Sequence, residues 1–137
     1  MNYTDFSFAS PSSLQFGVGK FLTLPALINP LTKNVLIVLG SQSHKTSEYI
    51  TTVIGKLEAR FSVTIITIPT EPTPEMVDTA VLQSQPNVPD IVVAVGGGSV
   101  LDAGKAISAM IPVNDGVKNY LEGVGTKTHP GTKIPFI

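Results

Sequence analysis

Hydrophobic positions along this chain fall into short runs separated by glycine, proline and polar turns. Leu14, Phe16 and Val18 alternate with polar or small residues, the period-2 pattern of a half-buried strand, which Gly17 and Gly19 interrupt. Phe21 to Leu27 reads as a short helix ended by Asn29-Pro30. Val35 to Leu39 is a continuous apolar run closed by Gly40. A strand apolar on both faces belongs in the middle of a sheet covered by helices on each side. Ile50, Val53, Ile54 and Leu57 then fall at i, i+3, i+4 and i+7, which predicts a helix over 46–60. Val63 to Ile68 is a second β-branched run, stopped by Pro69. Thr73-Pro74 has the form of an N-cap followed by proline at the first helical position, and Val77, Ala80 and Val81 continue that helix's apolar face.

After a turn at Asn87 to Pro89, Ile91 to Val95 is a third buried strand that runs straight into Gly96-Gly97-Gly98-Ser99. A helix with Val100, Ala103, Ile107 and Met110 on one side follows, and Pro112 ends it. Residues 113–132 are loop-rich, with one short helix expected at Val117–Leu121. Ile134-Pro135-Phe136-Ile137 has the composition of another strand opening, an apolar ending that suggests a fragment. Strands alternating with helices imply right-handed βαβ units. The predicted class is therefore α/β, a Rossmann-like parallel sheet with helices on both faces.

Composition narrows the picture further. The 137 residues suit one domain, and nine Lys+Arg against ten Asp+Glu leave a net charge of −1, without the basic footprint of a nucleic-acid binder. With no cysteine, disulfides, thiolate zinc sites and cysteine nucleophiles are excluded, and a cytoplasmic setting fits. Met1 to Ser10 has neither the cationic start nor the apolar core of a signal peptide. The apolar runs are strand-length, well short of the roughly 20 residues that span a bilayer, so no membrane partner is expected. Charged residues make up 14%, against about 25% in an average domain. That deficit suggests a surface partly built to be covered by another domain or subunit, including another copy of the chain.

Candidate chemistry gathers in two loops. In an open parallel sheet, ligands sit beyond the carboxyl ends of the strands. Gly40 to Lys45 and Gly96 to Ser99 hold that position. Three glycines in a row remove every Cβ, so a diphosphate can reach the backbone and the N-terminus of the helix after it. A tight strand-to-helix turn that binds nothing explains the same residues. Leu101 stands where a third glycine would complete GxGxxG, and the Gly-Lys-Ser/Thr ending of a P-loop is missing, as is a GxSxG elbow. Asp102 and Lys105 share one side of the helix, either as a solvated pair or with Asp102 turned into the cleft. His44 and His129 belong to no metal-binding spacing, and His129 beside Pro130 reads as a solvated loop residue.

Gly96-Gly97-Gly98-Ser99-Val100-Leu101-Asp102-Ala103-Gly104-Lys105-Ala106 resembles the GGGSxxDxxKA signature of the iron-containing (group III) alcohol dehydrogenases. Phe16-Gly17-x-Gly19-Lys20, Val35 to Gly40, Glu71-Pro72-Thr73, Tyr120-Leu121-Glu122-Gly123 and Pro135-Phe136-Ile137 fit the same family in order. The resemblance covers essentially the whole chain. It implies the N-terminal nucleotide-binding domain of the dehydroquinate synthase-like fold over 1–137. The all-helical C-terminal domain that completes the active site would then lie outside this chain.

By that resemblance Gly96, Gly97, Gly98 and Ser99 would hold a cofactor diphosphate, and Asp102 would face the cleft near the nicotinamide. The family's substrates are small alcohols and aldehydes. Its metal, iron or another divalent ion, is held by one aspartate and three histidines of the helical domain, so this chain is expected to be inactive alone. Many NAD-preferring members carry an aspartate after the first strand, where an acid accepts from the ribose 2′-hydroxyl. Here Gly40-Ser41-Gln42-Ser43-His44-Lys45 offers room, hydroxyls and a cation, so NADP(H) is expected over NAD(H), with Ser41, Ser43, His44 and Lys45 near the 2′-phosphate. The competing reading is a non-enzymatic α/β module that binds a nucleotide or a protein. A receiver-type domain is disfavoured because Gly40 and Gly96 stand where its acidic cluster would be.

Overall fold

The computed structural model describes residues 13–41 and 47–137. Three strands, β1 (Asn34–Gly40), β2 (Ser62–Ile68) and β3 (Ile91–Val95), form a parallel sheet in the order β2-β1-β3. The apolar run is central, as its composition demands: Val35 to Leu39 are all buried, each at 1% exposure or less. Register pairs Val35 with Val63 on one side and with Ile91 on the other. Asp90 fixes where β1 begins. Its carboxylate accepts from the N–H groups of Lys33 (2.7 Å) and Asn34 (2.9 Å), and these bonds hold it below the usual carboxylate range.

Alternation along β1 divides the core into two layers, and both are covered by helices. Leu36 and Val38 point to the side covered by α3 (Pro74–Ser84) and α4 (Gly98–Met110), where Val77, Val81, Val100 and Ile107 pack on them. Val35, Ile37 and Leu39 face the side covered by α1 (Leu24–Leu27) and α2 (Glu48–Glu58), with Leu24, Val53 and Leu57 opposite. The helix expected over 46–60 spans Glu48–Glu58, with Ser47 at its N-cap and position 46 outside the described residues. Beyond it, Arg60 donates to the Pro25 carbonyl (2.7 Å) and lies 4.8 Å from the Phe61 ring centroid, tying the end of α2 to α1.

Thr73 is the expected N-cap of α3: its hydroxyl accepts from the Met76 N–H at 3.3 Å, with Pro74 next. Thr73→Ala is expected to cost about 1 kcal/mol, read as a shift in the denaturant midpoint at unchanged slope. The last residues continue the sheet. Val92 donates to Pro135 O (2.8 Å), Ile137 to Val92 O (3.0 Å) and Ala94 to Ile137 O (2.9 Å), so the expected strand opening is an isolated parallel bridge of Phe136 beside β3.

The first expected strand is a different matter. Residues 13–19 form no strand, and Leu14, Phe16 and Val18 are 83%, 94% and 108% exposed. Alternation decides which side chains would share a face, but a strand also needs a neighbour for its N–H and C=O groups. None of the three strands pairs with this segment. At Gly19 the backbone turns with φ +77° into a short 3₁₀ stretch, Lys20–Thr23.

The loop-rich segment is organised by polar contacts. Asp115 accepts from Lys127 Nζ (2.6 Å), the Gly116 N–H (2.8 Å), Asn119 Nδ2 (2.9 Å) and the Tyr120 hydroxyl (3.1 Å). The expected short helix is a 3₁₀ turn, Val117–Tyr120, anchored by Val117 N–H to Asp78 Oδ1 at 2.8 Å. His129 is a half-buried loop residue with both ring nitrogens hydrogen-bonded, less solvated than expected. Its Nδ1 accepts from the Gly131 N–H (3.0 Å), so Nε2 carries the proton given to Ala109 O (3.0 Å), and Tyr120 meets its ring edge-on.

Lys127, foremost among these partners, holds the Asp115 carboxyl down at about 2. A carboxyl depressed in the folded state stabilises above its ordinary value, and that contribution is lost as pH falls through the folded value. The segment should therefore lose stability between about pH 4 and about pH 2. Asp115→Asn should lower the melting temperature at neutral pH and flatten its acid dependence, as melting curves across that range would show.

Candidate functional site

All three strands run the same way, so their carboxyl ends meet at one edge of the sheet. Gly40 there pairs with Ile68, and Leu39 pairs with Val95. A cleft of ≈ 330 Å³ opens at this edge, lined by Gly40 at the end of β1 and Ser41 beyond it, Pro69 to Glu71 after β2, and Gly97 to Val100 after β3. That volume is at the lower end for a small-molecule site, enough for a diphosphate and its adjoining sugars.

The three glycines differ in what they do. A Cβ on Gly96 would lie 2.7 Å from Val100 Cβ, so this glycine lets the first turn of α4 fold back on β3. Gly97 caps α4 with ordinary backbone angles (φ −79°, ψ −171°), and no side chain caps that helix. Among the described residues, and apart from its chain neighbours and the helix's own backbone, a Cβ on Gly97 or Gly98 would meet no atom within 4 Å. Neither packing nor backbone conformation therefore asks for glycine at these two positions. What their missing side chains leave is open space beside N–H groups that a helix start cannot satisfy internally. That space fits a diphosphate.

Ser99 lines the same cleft, and its hydroxyl donates to Glu71 Oε2 at 2.5 Å. Glu71 was visible in the sequence only as the opening of Glu71-Pro72-Thr73. Its place beside the glycine loop comes from β2 ending next to β1 and could not be seen from spacing. Asp102 stands further along α4, outside the residues that line the cleft. It pairs with Lys105 at 3.3 Å, both side chains 63% exposed, which is the solvated i,i+3 arrangement. Ser41 lines the cleft, while Ser43, His44 and Lys45 lie outside the described residues.

Among the described residues no three His, Cys, Asp or Glu side chains gather into a metal site, so nothing described fits the metal that the sequence resemblance implies. No described helix is long and apolar enough to cross a membrane.

Comparison with known proteins agrees with the glycine signature. The family model described as iron-containing alcohol dehydrogenase matches residues 11–137. The probable NADH-dependent butanol dehydrogenase 1 of Bacillus subtilis strain 168 is 36% identical over 135 residues, covering 96% of this chain and 34% of that protein. Among solved structures, NADH-dependent butanol dehydrogenase A of Thermotoga maritima superposes with a TM-score of 0.83 at 24% identity, over 96% of this chain and 33% of that one. Sulfoacetaldehyde reductase of Bifidobacterium kashiwanohense, solved with NAD+, gives 0.82 at 22% identity, over 97% and 35%. This chain spans about a third of the length of the relatives it matches. The family-model match over residues 11–137 shows that the chain belongs to the iron-containing alcohol dehydrogenase family.

Proposed function

We propose that residues 1–137 are the dinucleotide-binding domain of an NAD(P)H-linked alcohol or aldehyde oxidoreductase. The observation that carries this reading is the pair Gly97 and Gly98, whose missing side chains leave open space at the start of α4 and the end of the sheet. The backbone N–H groups of Gly98 and Ser99 would bind the diphosphate, with Gly96 holding the turn in shape. Gly40 and Ser41 would lie along the adenosine side, and Asp102 towards the nicotinamide. When bound, the nicotinamide supplies or takes up a hydride, and the chain's part is to orient it.

The described residues gather no metal site, so the metal that polarises the substrate oxygen would come from the helical domain of the complete enzyme. This chain alone would bind cofactor without turning over alcohol or aldehyde. Its partners would be that domain and a second copy of the enzyme, in the cytoplasm.

The choice between cofactors rests on the loop after β1. Gly40 in place of an acid, and the Ser41 hydroxyl in the cleft, support NADP(H). The names of the butanol dehydrogenases support NADH instead. Titration of the chain with NADPH and NADH, alone and in competition, followed by nicotinamide fluorescence, tests both parts. Saturable binding with NADPH tighter is expected. Equal or tighter NADH would reverse the preference and leave the site standing, and no binding of either at millimolar concentration would contradict the site.

A further inference from the structure

Ser99 has a single hydroxyl proton, and the chain already uses it. A serine hydroxyl offers one donor and two lone pairs. Here the donor goes to Glu71 Oε2 at 2.5 Å, so only lone pairs face the cradle above Gly97 and Gly98. Lone pairs repel a phosphoryl oxygen. Among the described residues lining the cleft, Glu71 is also the only charged one, and its sign is that of a diphosphate. Glu71 reaches this place from the far side of the sheet, 28 residues before Ser99, and lies close to the positive end of α4. The free protein thus keeps a carboxylate at the start of the helix where the diphosphate would bind.

We infer that Glu71 is an internal competitor for the cofactor's diphosphate. It holds the Ser99 proton in the free protein and yields it when the dinucleotide binds, and so it weakens binding and speeds release. The inference rests on the dinucleotide reading above. It makes Glu71 a residue that tunes affinity through Ser99, without contacting the hydride-transferring ring.

Calorimetric titrations with inorganic pyrophosphate, NADH and NADPH on this chain and on E71A, S99A and the double variant test it, with melting temperatures as a control on folding. Glu71 is exposed, so its removal leaves the core untouched. E71A should bind all three probes about three- to tenfold tighter, the scale of one recovered hydrogen bond and one removed like charge. S99A should change affinity by less than about twofold in the wild-type background, because there the proton only exchanges the Glu71 carboxylate for the diphosphate at little net gain, yet cost about three- to tenfold in the E71A background. Unchanged affinities in E71A, beside normal wild-type binding, would overturn the inference alone. So would loss of NADH with gain of NADPH, which would place the carboxylate on a ribose hydroxyl. If neither wild type nor E71A binds any probe, the dinucleotide reading falls, and this inference with it.

Discussion

Gly98→Val is expected to abolish dinucleotide binding while leaving the melting temperature within about 2 °C of the original. The two halves of this result come from one observation. A Cβ at position 98 meets, among the described residues and apart from its chain neighbours and its own helix backbone, no atom within 4 Å, so the fold leaves room where a side chain would begin. Valine at the start of a helix is a modest change in propensity relative to glycine. The space it fills is the space above the N–H groups at the start of α4, which a diphosphate would need. Losing two charge-assisted hydrogen bonds of about 1.5–3 kcal/mol each lowers affinity by more than about 100-fold. Gly96→Ala makes the opposite case. Its Cβ would sit 2.7 Å from Val100 Cβ, and Val100 is buried, so that variant should lose stability first. Equal losses of stability in both variants would mean that glycine at 98 serves the fold.

The largest expected loss of stability is at Ile107. Its side chain is fully buried, at 0% exposure, in the layer where α4 meets Leu36, Val38 and Val92. Truncation to alanine removes three buried carbons and leaves a cavity, a change that costs about 2–5 kcal/mol. A small domain has about 5–15 kcal/mol in all, so Ile107→Ala should lower the melting temperature by about 10 °C or more. Well below that temperature its affinity for dinucleotide should stay within about twofold of the original, because the cradle lies at the other end of α4. Thermal melts by circular dichroism measure the first quantity and titration at low temperature the second. A fall of less than about 3 °C would show that α4 is held by other contacts.

What the sequence revealed and what it hid follow from the range of the interactions involved. The run Val35 to Leu39 shows a strand buried on both faces because burial on both sides leaves no polar position to interrupt it. Thr73-Pro74 shows a helix start because capping involves neighbours three residues apart. Leu14, Phe16 and Val18 carry an equally regular alternation and pair with none of the three strands, since pairing depends on a distant partner that alternation does not name. Glu71 and Ser99 are 28 residues apart and meet only because β2 and β3 flank β1 in one parallel sheet. His129 looked solvated because its partners, Ala109 and Gly131, are backbone groups that any residue would supply. The glycine run was legible as a candidate cradle, but its division of labour was not. Only the position of Val100 separates Gly96, which packs, from Gly97 and Gly98, which do not.

The central claim is that the N–H groups opening α4 bind the cofactor's diphosphate, and amide NMR of the isotopically labelled chain tests it most directly. Adding NADH or NADPH should move the amide signals of Gly97, Gly98 and Ser99 furthest, in a saturable way, with Ser41 and Glu71 following and the Val117–Tyr120 turn unmoved. Saturable binding that leaves those three amides in place and shifts signals elsewhere would contradict the account.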